Sequence, residues 1–408
     1  MDLSIKSILD IAQAICLLPF LYVANQYIFG KLARKHDFFS KKLMNVLSLY
    51  HLLFAGLYYA YALFNPSDSK GYFRVATTTT HNWFHFFRTE TPFIDFLSYP
   101  FVKFLNFNYE MMMLMFAWLG FLGFVYAYVF FKENISVKIK VFKKIDLLLL
   151  ILFLPNMHFW TASLGKGAPI FLGLMLFAYA VKIPEKRILP LLTGSLLVFA
   201  IRPHVFLLIA VGSVIGIMLT RNSFSWKKKA IFSGAVLASL LLFHEQILAV
   251  VHLNNSQNLI SDFLAFTRDR AASLDNSSSG VNMLQYSLDE RIFTFWFRPL
   301  FLDAPGFLGV VVSVENLIYL LLFLKIFRLR FLKFLRYAPA QVKISLSLFL
   351  LSSFAMTFVM SNLGIIIRQK SMIMYFMFFV IYYFLAHEKT KTISLNPERR
   401  KPQLPMAA

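Results

Sequence analysis

Cysteine is almost absent from this chain: its 408 residues include one, Cys16, inside the first apolar run. That excludes an intramolecular disulfide and any CxxC metal or redox centre. Acidic residues are also scarce, 20 Asp+Glu against 41 Lys+Arg, for a net charge of +21. Several motifs are missing. "SLGKGAP" around Lys166 lacks the GxxxxGK[ST] pattern of a phosphate-loop lysine. "HNWFH" spaces His81 and His85 as a helical metal pair would be, but it has no HExxH glutamate and no evident third ligand. No internal repeat of fixed period is visible, so the inverted halves of many secondary transporters are not in sight. "MDLSIKSILD" is acidic as well as basic, and the apolar run behind it is too long for a signal peptide and has no small-residue cleavage site, so a retained helix is expected there.

Apolar residues dominate. They make up 58% of the chain, aromatics 17%, and the mean hydropathy is +0.64, more than a water-soluble core of this size needs. The expected fold is an all-α polytopic transmembrane bundle. Runs able to cross about 30 Å of hydrocarbon recur, near 8–29, 44–64, 109–131, 145–161, 168–183, 188–201, 204–220, 228–246, 306–327, 344–360 and 370–386, giving about eleven helices. The run 188–220 would be about 50 Å long as one helix, and Pro203 breaks it, so two short helices meeting at Arg202–His204 are expected.

The positive charge then reads as topology. Alternate loops, from "KLARKHDFFSKK" to the tail "EKTKTISLNPERRK", hold 28 of the 41 basic residues and, with Asp146 at the edge of one, 6 of the 20 acids. Lys and Arg collect on the cytoplasmic side, so the N-terminus is expected outside, the C-terminus inside, and no nucleic-acid partner is needed. One transmembrane domain is expected over 1–388, with extracytoplasmic loops at about 65–108 and 252–305 and a disordered cytoplasmic tail at 389–408. The first loop is aromatic and should contain interfacial helices; in the second, "SLDNSSSG" reads as mobile. "FLKFLRY" is a basic amphipathic stretch suited to anionic lipids of the inner leaflet. Asn134, Asn254 and Asn276 stand in N-x-S triplets that arise readily by chance.

Polar residues from distant segments converge at the outer ends of the runs. They include Asn156, His158, Ser163 and Lys166 in "PNMHFWTASLGKGAP", then Arg202 and His204, His244 to Gln246, and Arg368 with Lys370 in "SNLGIIIRQK". Ionisable groups at membrane depth are costly and face a wet cavity, a partner or a ligand; a single arginine can also snorkel or hold a lipid headgroup. Lys166, Arg202, Arg368 and Lys370, with Arg74 and Arg298 from the loops, suit a phosphate or pyrophosphate. Asp68 in "NPSDSKGYF" can take a proton from a sugar hydroxyl or position it, or cap a turn. Glu90 and Asp95 are weaker acid candidates on the same loop. Glu315 needs a partner, Arg298 or His244, and a structural ion pair is expected there. Trp83 and Tyr72 either stack on sugars or anchor the loop at the interface.

Taken in order, "DSKGYF", "LPNMHFWTASLGKGAPIFLGL", "IRPH", "FRPLFLDAPG", "SVENL" and "NLGIIIRQK" resemble bacterial envelope-polysaccharide membrane proteins, the GT-C-type glycosyltransferase and O-antigen-polymerase-like assembly. Resemblance to GT-C enzymes implies a polyprenyl-phosphate-linked donor and a catalytic acid in an early extracytoplasmic loop, matched by Asp68. Resemblance to the polymerases implies arginines holding undecaprenyl pyrophosphate, matched by Arg202, Arg298 and Arg368. The chain departs from the GT-C pattern in placing its acid after the second helix with the N-terminus outside. The expectation is an inner-membrane enzyme using a polyprenyl-linked sugar or oligosaccharide, with anionic lipids and other polysaccharide-synthesis proteins as partners. No cofactor is expected, a divalent cation being possible but not indicated. A lipid-linked glycan flippase or a non-catalytic scaffold are the alternatives.

Overall fold

The computed structural model describes residues 5–221, 225–250, 258, 261–262, 265–270, 280–281, 283–304 and 306–395. Asn254, Asn276 and residues 273–279 of "SLDNSSSG" lie outside the described residues, as does the tail from 396. The chain is overwhelmingly helical. Among the described residues the only sheet is one two-residue hairpin, Lys140–Val141 against Ile145–Asp146.

The helices run in order α1 Ile5–Lys35, α2 Lys41–Phe64, α3 Asp68–Thr78, α4 Thr91–Lys103, α5 Tyr109–Asn134, α6 Leu147–Leu152, α7 Pro155–Thr161, α8 Gly167–Ala180, α9 Ile188–Ile201, α10 Pro203–Met218, α11 Trp226–Leu242, α12 His244–Val250, α13 Leu288–Phe297, α14 Gly306–Phe323, α15 Leu329–Tyr337, α16 Ala340–Thr357 and α17 Leu363–Leu395. Five of them are long and apolar enough to cross a membrane: α1, α2, α5, α16 and α17. The remaining apolar helices are shorter. The run expected at 145–161 is two short helices, because Asp146 caps α6 by accepting from Leu148 and Leu149 and Pro155, which has no N–H to donate, starts α7 afresh. Pro203 does the same between α9 and α10, where the sequence placed a break. The last helix runs on to Leu395, past the expected boundary at 388. Lys389 Nζ, donating to the Lys138 carbonyl at 3.0 Å, ties its end to the β-hairpin side of the bundle.

Close crossings hold the middle of the bundle together. A Cβ on Gly173 would lie 2.9 Å from the Gly194 carbonyl oxygen, and one on Gly194 2.6 Å from that of Gly173. α8 and α9 therefore touch backbone to backbone, as small residues allow between apolar helices. The loop at 65–108 is structured rather than open: α3, a 3-10 turn at Trp83–Phe86 and α4 pack together. Trp83 belongs to that packing, donating to the Phe96 carbonyl at 2.9 Å with its ring stacked 5.0 Å from Phe96.

Candidate functional site

Four segments meet over the α9–α10 elbow. α3 carries Asp68 and Tyr72, α4 carries Asp95, the turn before α8 carries Lys166, and α17 carries Arg368 and Gln369. The elbow itself supplies Arg202 and His204. One backbone bond sets this arrangement: Glu90 donates its N–H to the Ala200 carbonyl at 2.7 Å, pinning the start of α4 to the end of α9. To do so Glu90 takes φ 72°, a left-handed conformation that costs a residue with a Cβ about 1 kcal/mol or more.

Three cations, Lys166, Arg202 and Arg368, face three carboxylates, Asp68, Glu90 and Asp95, but among these described residues only Arg368 and Asp68 form a close ion pair. Arg368 donates through both terminal nitrogens to one Asp68 oxygen at 3.3 Å and lies over the Trp160 ring, 5.6 Å from its centre. Arg202 is buried, and its hydrogen-bond partner is the neutral side-chain oxygen of Gln369. Lys166 is within electrostatic reach of Arg202 and Arg368, with Glu90 and Asp68 in partial compensation. Burial first, then those two arginines, lowers the Lys166 ammonium from its ordinary value. Burial likewise pushes the Asp95 carboxyl up to about 6, opposed by Lys166. Tyr72 stands among Asp68, Arg368, Asp95 and Arg202, and burial, then Asp68, pushes its phenol up to about 12, so it remains a hydrogen-bond donor at neutral pH.

No family model, no curated protein and no solved structure matches the chain. The site therefore stands on its own chemistry.

Of the residues singled out in the sequence, Asp68, Tyr72, Glu90, Asp95, Lys166, Arg202, His204 and Arg368 come together here. Several others do not. Arg74 is exposed on α3. Arg298 pairs with Asp303 and also donates to the Tyr286 hydroxyl at 3.2 Å. Lys370 is fully buried and donates to the carbonyls of Trp296 at 3.3 Å and Arg298 at 2.8 Å, at the C-terminal end of α13. His158 is fully buried too: it stacks on Phe124 at 3.8 Å and meets His51 through the two Nδ1 atoms at 2.8 Å. Glu315 does not pair with Arg298 or His244. It accepts from the Asn156 N–H at 2.9 Å and from the Tyr319 hydroxyl, because Pro155 and Asn156 open α7 against α14 and leave that N–H without a helical acceptor. His81 and His85 stack ring on ring at 3.8 Å, and among the described residues no group of three or more His, Cys, Asp or Glu is placed to hold a metal ion.

Sequence reasoning missed Gln369. A neutral side chain between two cations gives no signal of its own, yet it is what holds Arg202 without neutralising it. Beside the site, Trp160 and Ile367 also line a cavity of about 740 Å3 that is mostly apolar and contains Asn156, Arg298, Asp303 and Glu315. Trp160 thus carries Arg368 on its ring and forms part of the cavity wall.

Proposed function

We propose that the chain is a multi-pass membrane glycosyltransferase or polysaccharide polymerase. It takes a sugar or oligosaccharide from an undecaprenyl-(pyro)phosphate-linked donor at the outer face of a bacterial inner membrane. The observation that carries this reading is the loose pairing of cations at the elbow: among the described residues Lys166 and Arg202 make no close ion pair, and Arg368 makes one, with Asp68. A phosphate or pyrophosphate supplies the close anionic partner that Lys166 and Arg202 lack, and the same donors stabilise it as it departs from the sugar. The apolar cavity adjoining Trp160 suits the hydrocarbon chain of such a donor. Asp68, exposed and oriented by Arg368, activates or orients the acceptor hydroxyl.

On this reading the shorter helices complete a bundle of about eleven crossings, with the N-terminus outside and the basic loops inside. Its partners are anionic membrane lipids and other polysaccharide-synthesis proteins. A lipid-linked glycan transporter is the second reading, and one feature favours it: Glu315, a carboxylate in the middle of α14, is buried and lines the cavity. Replacing Arg202 and Asp68 separately with alanine in cells, with membrane abundance confirmed, separates these readings through the lipid-linked glycans. Accumulated single-repeat intermediates mark a polymerase and loss of one sugar a monosaccharide transferase. Intermediates trapped on the cytoplasmic side mark a transporter, and normal glycans from both variants refute the proposal.

A further inference from the structure

A second concave site lies at the far end of α17, about 35 Å along the helix from Arg368. There α15 and the last turns of α17 enclose a groove of about 480 Å3, inside the roughly 300–1,000 Å3 of small-ligand sites. Two helical stripes form its walls. Arg330, Lys333, Phe334 and Tyr337 follow i, i+3, i+4, i+7 spacing on one side of α15, and Tyr383, His387 and Lys391 recur every four residues on α17. Aromatic packing holds the stripes together. The Phe334 ring lies 5.3 Å from Phe384 and 5.2 Å from His387, and Phe331 lies 5.2 Å from Phe384.

The groove is positively charged. Arg330, Lys333 and Lys391 line it against one carboxylate, Glu388, among the described residues. Glu388 meets Arg330 at 3.5 Å, but Arg330 is exposed there, and exposed ion pairs contribute little, so a phosphate can take its place on the guanidinium fork with Lys333 as a second point of charge. The surroundings say where that phosphate comes from. The side of α15 next to the groove presents Leu329 and Leu332 fully outward, and Phe327 just before the helix is exposed as well. On the multi-pass reading α14 ends and α16 begins at the cytoplasmic face, so α15, nine residues or about 14 Å long, lies along that face with its leucines in the leaflet. Basic pockets beside transmembrane helices on this side suit anionic headgroups. We infer that the groove between α15 and α17 is a headgroup site for one anionic phospholipid, its phosphate held by Arg330, Lys333 and Lys391 over the Phe334 ring. The inference rests on Proposed function for the side of the membrane and not for the glycan chemistry, so each can fail without the other.

The test counts lipids on the purified, delipidated full-length protein by native mass spectrometry, with phosphatidylglycerol and zwitterionic phosphatidylcholine titrated separately. The wild type is expected to hold at least one phosphatidylglycerol per chain at least tenfold more tightly than phosphatidylcholine. Arg330→Gln combined with Lys333→Gln should hold one fewer, and Glu388→Gln should hold it as tightly or more so. Lys41→Gln combined with Lys42→Gln takes two exposed charges from another basic loop and should leave the count unchanged. The substituted arginine and lysines are exposed, so thermal midpoints should match the wild type. An unchanged count in the Arg330 and Lys333 variant overturns the site, as does a wild type with no preference between the two lipids. An equal loss in the Lys41 and Lys42 variant also overturns it, since diffuse surface charge then explains the binding. Displacement of the lipid by millimolar glycerol 3-phosphate overturns the lipid as occupant and points to a soluble phosphate instead.

Discussion

Helix α9 has an arginine at each end, and the two are held in opposite ways. Arg187, before its first turn, is buried and forms a two-nitrogen pair with Glu133, one arm at 2.8 Å. It also donates to the Tyr179 carbonyl at 2.7 Å and stacks on the Tyr179 ring at 3.8 Å. Arg202, after the last turn, is equally buried, but a neutral glutamine is its hydrogen-bond partner, and its charged neighbours are Lys166, Arg368 and Glu90, the last within electrostatic reach but not ion-paired with it. Burying a charge is tolerable when it is paired. Arg187 meets that condition with a close ion pair, so it is architecture; Arg202 has no such pair among the described residues, and the phosphate proposed above is what would complete it.

The largest effect should follow from breaking the satisfied end. Glu133→Gln leaves Arg187 buried without its counter-charge and should cost about 3–5 kcal/mol, read as a collapse of the thermal midpoint in detergent and of membrane abundance. An unchanged midpoint would remove the distinction between the two arginines. The sharper test makes the two ends alike. Gln369→Glu gives Arg202 the carboxylate it lacks, and should hold or raise the midpoint while weakening undecaprenyl pyrophosphate at least tenfold, about 1.4 kcal/mol. The smallest effect concerns Asp95. Its folded carboxyl titrates near 6, above the ordinary value of 3.8, so the neutral form is favoured by folding. The associated stability is complete below about pH 4 and lost as pH rises through 6. Asp95→Asn should therefore raise the midpoint above pH 6, by about 1 kcal/mol, and leave it unchanged near pH 4. A midpoint difference independent of pH would show that the carboxyl is not strained by burial.

Much of the scaffold was legible because its causes are local. Pro203 lacks a donor and makes the expected break between α9 and α10, whereas Pro155 and the Asp146 cap, equally local, split the run expected to be one at 145–161. The convergence of Lys166, Arg202 and Arg368 was legible from charge alone, since apolar runs make a lone cation conspicuous. The partners were not. Whether Arg298 faces Asp303 or a ligand, and whether His158 faces His51 or the site, depends on which helices lie side by side, and no spacing within one helix encodes that. The expected Glu315 ion pair failed for the same reason: its carboxylate is satisfied by a backbone N–H at the start of α7, a donor present at almost every residue and so invisible as a letter.

The shortness of α9 has a mechanical consequence. Fourteen residues rise about 21 Å, well short of the roughly 30 Å of hydrocarbon in an ordinary bilayer. If Arg187 is held at one water boundary, Arg202 lies about 9 Å beneath the other. Lipid around that end must thin and its headgroups must dip to reach it. On the function proposed above, such a dimple would bring a lipid phosphate down toward Arg202 while the bulk leaflet stays above, making bilayer thickness a control on access that short-chain phospholipids should open most.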